Sequence, residues 1–196
     1  MAVIGAYEKV IDKLFQREFE NTEPGVEMRR LEEKVEQEKD YLKKSLLSLD
    51  APPTTLDGTA LAGEFSYGNQ ESVLRVDVGE KKRTLFFIRG KLWKYIDTYP
   101  LGAKSKWGTS FKTAIAKLEE RTGIPGRLRA ADEAVQLHFE EADWSDGKTH
   151  MRALNWGKNL AIVHAEVATE ARLIELRPFK EKKVEGLDPA VKSILR

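Results

Sequence analysis

The first fifty residues carry their hydrophobic side chains at helical spacing. In the first stretch these residues recur at intervals of three and four positions, at Ile4, Tyr7, Ile11 and Leu14. Charged residues occupy the positions between them, so the pattern predicts an amphipathic helix over residues 3–19. Pro24 and Gly25 disfavour its continuation, and Asn21 or Thr22 is expected to cap a second helix.

The second helix has a hydrophobic stripe that is too broken for an extended coiled coil. Its apolar residues keep heptad spacing, at Leu31, Val35, Leu42 and Leu49. Glu38 and Ser45 occupy the seam positions between them, where polar residues weaken a long zipper. Residues 1–50 are therefore predicted to form an arm of two antiparallel helices, packed on their own domain or on a second copy of the chain.

A proline-rich boundary separates this arm from a segment with strand periodicity. The stretch "DAPPTTLDG" at residues 50–58 combines two prolines with an Asp-Gly turn pair, which indicates a linker at 51–58. Hydrophobic positions then alternate in "VLRVDV" at residues 73–78, as expected of a strand. Residues 83–89 and 92–99 are predicted to form a hairpin around Gly90.

One helix interrupts the predicted strands. Thr109 or Ser110 is expected to cap it, and Gly123 stands where a left-handed C-terminal stop is expected. Its buried stripe is predicted to consist of Phe111, Ile115 and Leu118.

The remaining patterns predict an α+β fold. Three candidate strands follow the helix, separated by the turns "SDG" and "GKN", namely "AVQLHFEE", "THMRALNW" and "LAIVHAEV". A final strand is expected near "ARLIEL". After the helical arm, the chain is thus predicted to form an antiparallel sheet domain at 59–178, with six or seven strands and the helix packed on one face. A charged tail with a short C-terminal helix is predicted at 179–196.

The predicted hairpin is apolar on both faces. If the alternation is unbroken, one face carries Phe86, Ile88, Trp93 and Tyr95. The other carries Leu85, Phe87, Leu92, Lys94 and Ile96. A half-solvated antiparallel hairpin has one polar face, so both sides are expected to be covered. The inserted helix accounts for one side, and the arm, another protein chain or a ligand accounts for the second.

Composition narrows the functional classes. The 196 residues are 41% hydrophobic and 33% charged, as in ordinary globular proteins. The absence of cysteine excludes disulfides, thiolate nucleophiles and Cys-ligated metal centres. No apolar run approaches the roughly 18 residues of a membrane span, and the start "MAVIGAYEKVIDK" lacks the form of an export signal. A cytoplasmic location is expected if Met1 is the native start, and a periplasmic or cell-envelope location if the chain is a processed form.

No motif in the sequence indicates catalysis. Phosphate-binding loops and the GxGxxG, GxSxG and HExxH patterns are missing, so neither an enzyme activity nor a cofactor is predicted. The densest titratable group comprises His138, Glu140, Glu141, Asp143, Asp146 and His150. His138 and His150 with one carboxylate would suit zinc, manganese or iron. Alternation places only Glu140 on the strand face of His138, so a polar strand edge without metal is the favoured interpretation, and His164 is expected to be a hydrogen-bonded strand residue.

The middle of the chain is strongly basic although the whole chain is not. Lys and Arg number 33 against 32 Asp and Glu overall, yet residues 81–129 contain thirteen basic and three acidic residues. Aromatic residues stand among these charges, a composition that suits phosphates and bases or an acidic protein surface. The predicted partner-binding residues are Lys91, Trp93, Lys94, Tyr95, Tyr99, Lys104, Lys106 and Trp107.

Two functional hypotheses follow. The first is a non-enzymatic interaction or scaffold protein whose arm associates with another protein or a second copy, and whose hairpin and following loop bind a partner. The second is a nucleic-acid-binding module that uses residues 81–129. The net charge of +1 favours the first, because a near-neutral molecule does not attract a polyanion over distance.

Overall fold

A computed structural model describes residues 2–50, 64–132, 134 and 137–177 of the chain. Within these residues the fold is α+β, as predicted: an N-terminal helical region, an eight-stranded antiparallel sheet, and a helix packed against that sheet. No helix in this part of the chain is long and apolar enough to cross a membrane.

Five helices and eight strands lie in the described ranges. The helices are α1 (Ala2–Glu20), α2 (Val26–Ser45), α3 (Phe111–Thr122), α4 (Val167–Glu170) and α5 (Leu173–Leu176). The strands are β1 (Leu46–Ser48), β2 (Glu71–Val78), β3 (Lys81–Ile88), β4 (Lys91–Pro100), β5 (Arg127–Arg129), β6 (Glu141–Ser145), β7 (Thr149–Trp156) and β8 (Asn159–Glu166). They form one sheet in the order β1-β2-β3-β4-β8-β7-β6-β5.

The turn between α1 and α2 differs from the predicted capping. The side chains of Asn21 and Thr22 donate hydrogen bonds backwards, to the carbonyls of Arg17 at 2.7 Å and Glu18 at 2.6 Å. They therefore satisfy the last turn of α1, and Gly25, which has no capping side chain, precedes α2. The prediction that Asn21 or Thr22 caps α2 was wrong because the free carbonyls of α1 lie closer to them in the chain.

Helix α2 ends before the last residue of its heptad pattern. Ser45 is the final helical residue, and the chain then becomes extended as strand β1. Leu49 donates its backbone N–H to the carbonyl of Glu71 at 2.9 Å and is buried in the sheet core. Pairing with β2 therefore outweighs a spacing that fits a helix by coincidence. The predicted linker at 51–58 and tail at 179–196 lie outside the described residues, so the domain limits stay a prediction.

Helix α3 has the predicted ends. Ser110 is its N-cap, and the side chains of Ser110 and Thr113 each accept a hydrogen bond from the other's backbone N–H, which is a capping box. Gly123 takes a left-handed φ of 70° and donates its N–H to the carbonyl of Glu119 at 2.8 Å. The predicted stripe is buried against the sheet, at Phe111, Ile115 and Leu118.

Two of the four later strand predictions are confirmed and two are wrong. Strands β7 and β8 follow the "SDG" and "GKN" turns as expected. The strand predicted at 134–141 instead starts at Glu141, because Ala142 and Trp144 supply the side chains that pack under α3. The stretch "ARLIEL" contains helix α5 rather than a strand.

The sheet has two unlike faces. Helices α1 and α2 cover one half of the helix-packed face, where Tyr7, Ile11 and Leu42 pack with Leu74, Leu85 and Phe87. The side chains of Ile4 and Leu14 in the predicted α1 stripe lie outside the described part. Helix α3 covers the other half of this face. The opposite face carries a separate core around Phe86, Ile96 and Val163, so the arm covers one side of the hairpin while the other side faces this second core.

A bulge in the hairpin overturns the predicted division of side chains. The turn is Arg89-Gly90, with φ values of 50° and 75°, as in the type I′ turns that favour hairpins. Phe87 pairs with Leu92 but Phe86 pairs with Lys94, so Trp93 is an extra residue. An extra residue inverts the alternation beyond it. Tyr95 therefore joins the helix-packed face, and Lys94 and Ile96 join the opposite face, the reverse of the prediction.

Candidate functional site

The eight predicted binding residues are divided between the core and the surface. Four of them are at most 7% exposed, namely Trp93, Lys94, Tyr99 and Trp107. Tyr95 is half-buried, whereas Lys91, Lys104 and Lys106 are exposed. Trp93 and Lys94 also lie on the opposite face from Tyr95 and Tyr99. The eight residues therefore do not share one surface.

Three of the predicted residues do come together, at the end of β4 and in the loop that follows. The rings of Tyr99 and Trp107 meet edge to face with their centroids 5.5 Å apart. Lys106 Nζ lies 4.7 Å from the Tyr99 ring centroid and 5.6 Å from that of Trp107, within the range of a cation–π interaction. The loop is held by its own backbone bonds, including Gly102 N–H to the carbonyl of Gly108 at 2.9 Å.

Helix α3 adds two cations that the sequence analysis did not assign to the site. The Arg121 guanidinium lies 5.4 Å from the Trp107 ring centroid. Lys117 Nζ donates a hydrogen bond of 2.6 Å to the carbonyl of Lys106. Residues four apart on a helix share a face, so the spacing of Lys117 and Arg121 was a signal that they act together.

Strand β3 contributes two further cations that share one carboxylate. Asp97 Oδ2 lies 2.6 Å from Lys81 Nζ, and Arg83 Nε donates to Asp97 Oδ1 at 2.6 Å. Arg83 pairs with Asp97 in the β3–β4 ladder, and the period of two places Lys81 on the same face. Burial alone would raise the pKa of Asp97, but the hydrogen bonds and charges of Arg83 and Lys81 outweigh burial and lower it. Asp97 therefore stays ionised and neutralises only one of the two cations.

Uncharged rings continue this surface toward α1 and α2. Tyr95 stacks on His164, its ladder partner, with ring centroids 4.6 Å apart, and Arg83 lies 4.5 Å from the Tyr95 centroid. Burial lowers the pKa of His164, which keeps its imidazole neutral at pH 7. The positive charge is thus concentrated at the α3 end of the face.

We name this assembly the cationic cluster: Lys81, Arg83, Lys106, Lys117 and Arg121 around Asp97, Tyr99 and Trp107. It holds five cations and one carboxylate. Within the described residues, no carboxylate oxygen lies within 4.0 Å of Lys106, Lys117 or Arg121. The cluster therefore has three cations available to an external anion.

A second group of charges is buried on the opposite face and is internally paired. Lys94 binds the Glu64 carboxylate and donates to the Glu64 carbonyl at 2.8 Å. Arg152 Nη2 lies 3.1 Å from Glu64 Oε1, and Arg177 binds Glu71 through two nitrogens. Burial lowers the pKa of Lys94 to about 8, despite the opposing charge of Glu64. This group links strands β2, β4 and β7 to Glu64 and Arg177 and is part of the fold.

The histidine and carboxylate group at 138–150 is also used internally. Glu141 and Asp143 bind Arg129 and Arg127 of the edge strand β5. His150 Nδ1 lies 2.8 Å from the Glu170 carboxylate. Among the residues that the structure describes, no three His, Asp or Glu side chains are placed to hold a metal ion.

No family model matches the chain, and no curated protein or solved structure is significantly similar to it. The charges and contacts of the cationic cluster are therefore the basis of a functional proposal.

Proposed function

We propose that the protein is a non-enzymatic interaction protein whose cationic cluster binds an acidic surface of a protein partner. The observation that carries this proposal is that Lys106 and Arg121 lie over Tyr99 and Trp107 while no carboxylate of the described residues pairs with them. Charge complementarity across an interface steers association and selects partners. Three available cations on one patch suit a partner that presents several carboxylates.

The partly fixed geometry of the patch favours binding. Lys106 is held over two rings, and its carbonyl accepts the hydrogen bond from Lys117. Side chains that are ordered before binding lose less conformational entropy when the complex forms. The rigid sheet beneath the loop keeps these cations at fixed distances from Lys81 and Arg83.

Burial of the aromatic rings favours a protein partner over a nucleic acid. Proteins that bind single strands stack bases on exposed aromatic faces. Tyr99 is 7% exposed and Trp107 is 3% exposed, so neither ring can accept a base. The rings hold the cations in place, and the cations make the contact.

The test uses poly-L-glutamate as an acidic polypeptide and random-sequence duplex DNA as the competing polyanion. Binding of each is followed by fluorescence anisotropy at two salt concentrations, with wild type and with the double variant Lys106→Glu/Arg121→Glu. The matched control is Arg89→Glu/Lys91→Glu, which reverses two exposed charges at the far end of the hairpin. We expect poly-L-glutamate to bind, the cluster variant to weaken it about tenfold or more, and the control to leave it unchanged.

Two results would overturn the proposal. The first is the lack of saturable binding of poly-L-glutamate at low salt. The second is tighter binding of DNA, with a slope of log affinity against log salt steeper than about −3, that the cluster variant abolishes. The second result would assign the cationic cluster to nucleic acid.

A further inference from the structure

A groove of about 600 Å³ crosses the opposite face of the sheet, and Arg83 at its edge is the one residue that it shares with the cationic cluster. Residues paired across β2, β3 and β4 form the floor of the groove. Lys82 lies between Asp77 and Thr98, and Thr84 lies between Arg75 and Ile96. Its volume is in the range of sites that hold small molecules.

Two aromatic side chains with large exposed surfaces line this groove. Trp156 is 40% exposed and Tyr41 is 51% exposed, and no other aromatic residue of the described ranges is exposed to a similar degree. Trp156 lies at the β7–β8 turn beside Asn159, its ladder partner. Tyr41 reaches the β2 side from α2, with its hydroxyl 3.5 Å from Asp77 Oδ2. Exposed aromatic faces on a soluble protein are typical of binding sites.

The polar side chains of the groove have hydrogen-bonding capacity to spare. The side chains of Thr84, Thr98 and Asn159 make no hydrogen bond to any described residue. A hydroxyl both donates and accepts, and an amide does the same with separate atoms. A ligand in the groove would therefore meet donors and acceptors within a few ångströms of one another.

The charges that line the groove balance. Arg75 and Lys82 oppose Asp77 and Glu80, and the fifth charge of the lining, Arg83, is paired with Asp97 outside the groove, so the site has little net attraction for an anion or a cation. Phe86 and Ile96 in the floor are at most 3% exposed and five charged residues line the groove, which disfavours a lipid chain. The matching ligand is neutral, rich in hydroxyl groups, and has an apolar face for an aromatic ring.

We propose that this groove binds a short neutral oligosaccharide. The C–H face of a pyranose ring packs on Trp156, since the face of an aromatic ring carries the negative part of its quadrupole. The sugar hydroxyls exchange hydrogen bonds with Thr84, Thr98 and Asn159. The acidic and basic side chains of the rim bind further hydroxyls as acceptors and donors.

The test is isothermal titration of the full chain with cellotetraose, maltotetraose and chitotetraose, and with tetra-alanine as a peptide probe. Three variants are compared with wild type: Trp156→Ala, Trp156→Phe, and the control Leu128→Ala, which truncates a 62% exposed residue on the far edge strand. Circular dichroism verifies that each variant is folded. We expect at least one saccharide to bind saturably, with affinity about tenfold weaker in Trp156→Ala. Trp156→Phe should retain most of the affinity and Leu128→Ala all of it.

Three outcomes would overturn the assignment. They are no saturable binding of any of the three saccharides, an unchanged affinity in folded Trp156→Ala, or binding of tetra-alanine as tight as that of the best saccharide. Binding of poly-L-glutamate is measured in the same variants. Because Trp156 lies in the groove and outside the cationic cluster, failure at one site is distinguishable from failure at the other.

Discussion

Glu64→Gln should destabilise the protein in a manner that depends on pH. Glu64 is the carboxylate that binds Lys94, and the side chains are 10% and 2% exposed. The amide keeps the shape of the side chain but removes its charge, which leaves a buried ammonium without a carboxylate among the described residues. Removing one partner of a buried ion pair costs about 3–5 kcal/mol of stability, so the free energy of unfolding should fall by about that amount at mildly acidic pH.

The pH dependence follows from the pKa of Lys94. In wild type this pKa is about 8, below its ordinary value of 10.5, because burial disfavours the charged amine. The unfolded chain therefore binds more protons than the folded one between these two pH values, and this group makes stability rise with pH across that window. Without the Glu64 charge the pKa falls further, so the rise begins at lower pH in the variant. The deficit of the variant should thus be largest well below pH 8, shrink as pH approaches about 8, and level off above it.

Urea unfolding followed by circular dichroism at a series of pH values measures this deficit. Glu120→Gln, which removes an exposed charge on α3, is the matched control and should change stability by less than about 0.5 kcal/mol at every pH. The double variant Glu64→Gln/Lys94→Met removes both charges and should recover part of the loss. A deficit that is the same at all pH values, or no deficit, would refute the assignment of Lys94 as a buried, charged partner of Glu64.

Three further predictions concern packing, the shared carboxylate and the arm. Gly126→Ala should lower stability by about 1–3 kcal/mol in thermal melts, because a Cβ there would lie 2.5 Å from the Trp144 ring, whereas Gly102→Ala, with nothing within 4 Å, should not. Asp97→Asn should lower the free energy of unfolding at neutral pH. The difference from wild type should vanish as the pH falls through the lowered pKa of Asp97. A difference that persists in acid would contradict this. Deletion of residues 1–50 removes α1, α2 and β1, so the remainder should unfold at lower urea; equal stability, with a lower mass in sedimentation, would show a separable arm that mediates self-association.

Local rules predicted the elements whose ends are set by neighbouring residues. Helix α3 has its cap at Ser110 and its stop at Gly123 because side-chain and glycine preferences act within one turn. The bulge at Trp93 could not be predicted in this way, since it depends on which side chains of β3 and β4 are buried against other elements of the fold. One extra residue reversed the faces of Lys94 and Tyr95, and with them the predicted binding surface.

Part of the candidate site could be predicted from the sequence because some of its residues are close together in the chain. Tyr99, Lys106 and Trp107 are separated by one short loop, so proximity alone brings them together. Arg121 joins them only through the packing of α3 on the sheet. Lys94 and Glu64 pair although they are 30 residues apart in the chain, and no spacing rule connects such positions.

Mapping poly-L-glutamate onto the protein by two-dimensional NMR tests the proposed function most directly. Backbone amide shifts report which residues meet the polypeptide. We expect shifts at Lys106, Trp107 and Arg121 that saturate together and disappear in Lys106→Glu/Arg121→Glu. Shifts confined to the hairpin end at Lys91, or to the edge strand β5, would contradict the assignment of the cationic cluster as the binding surface.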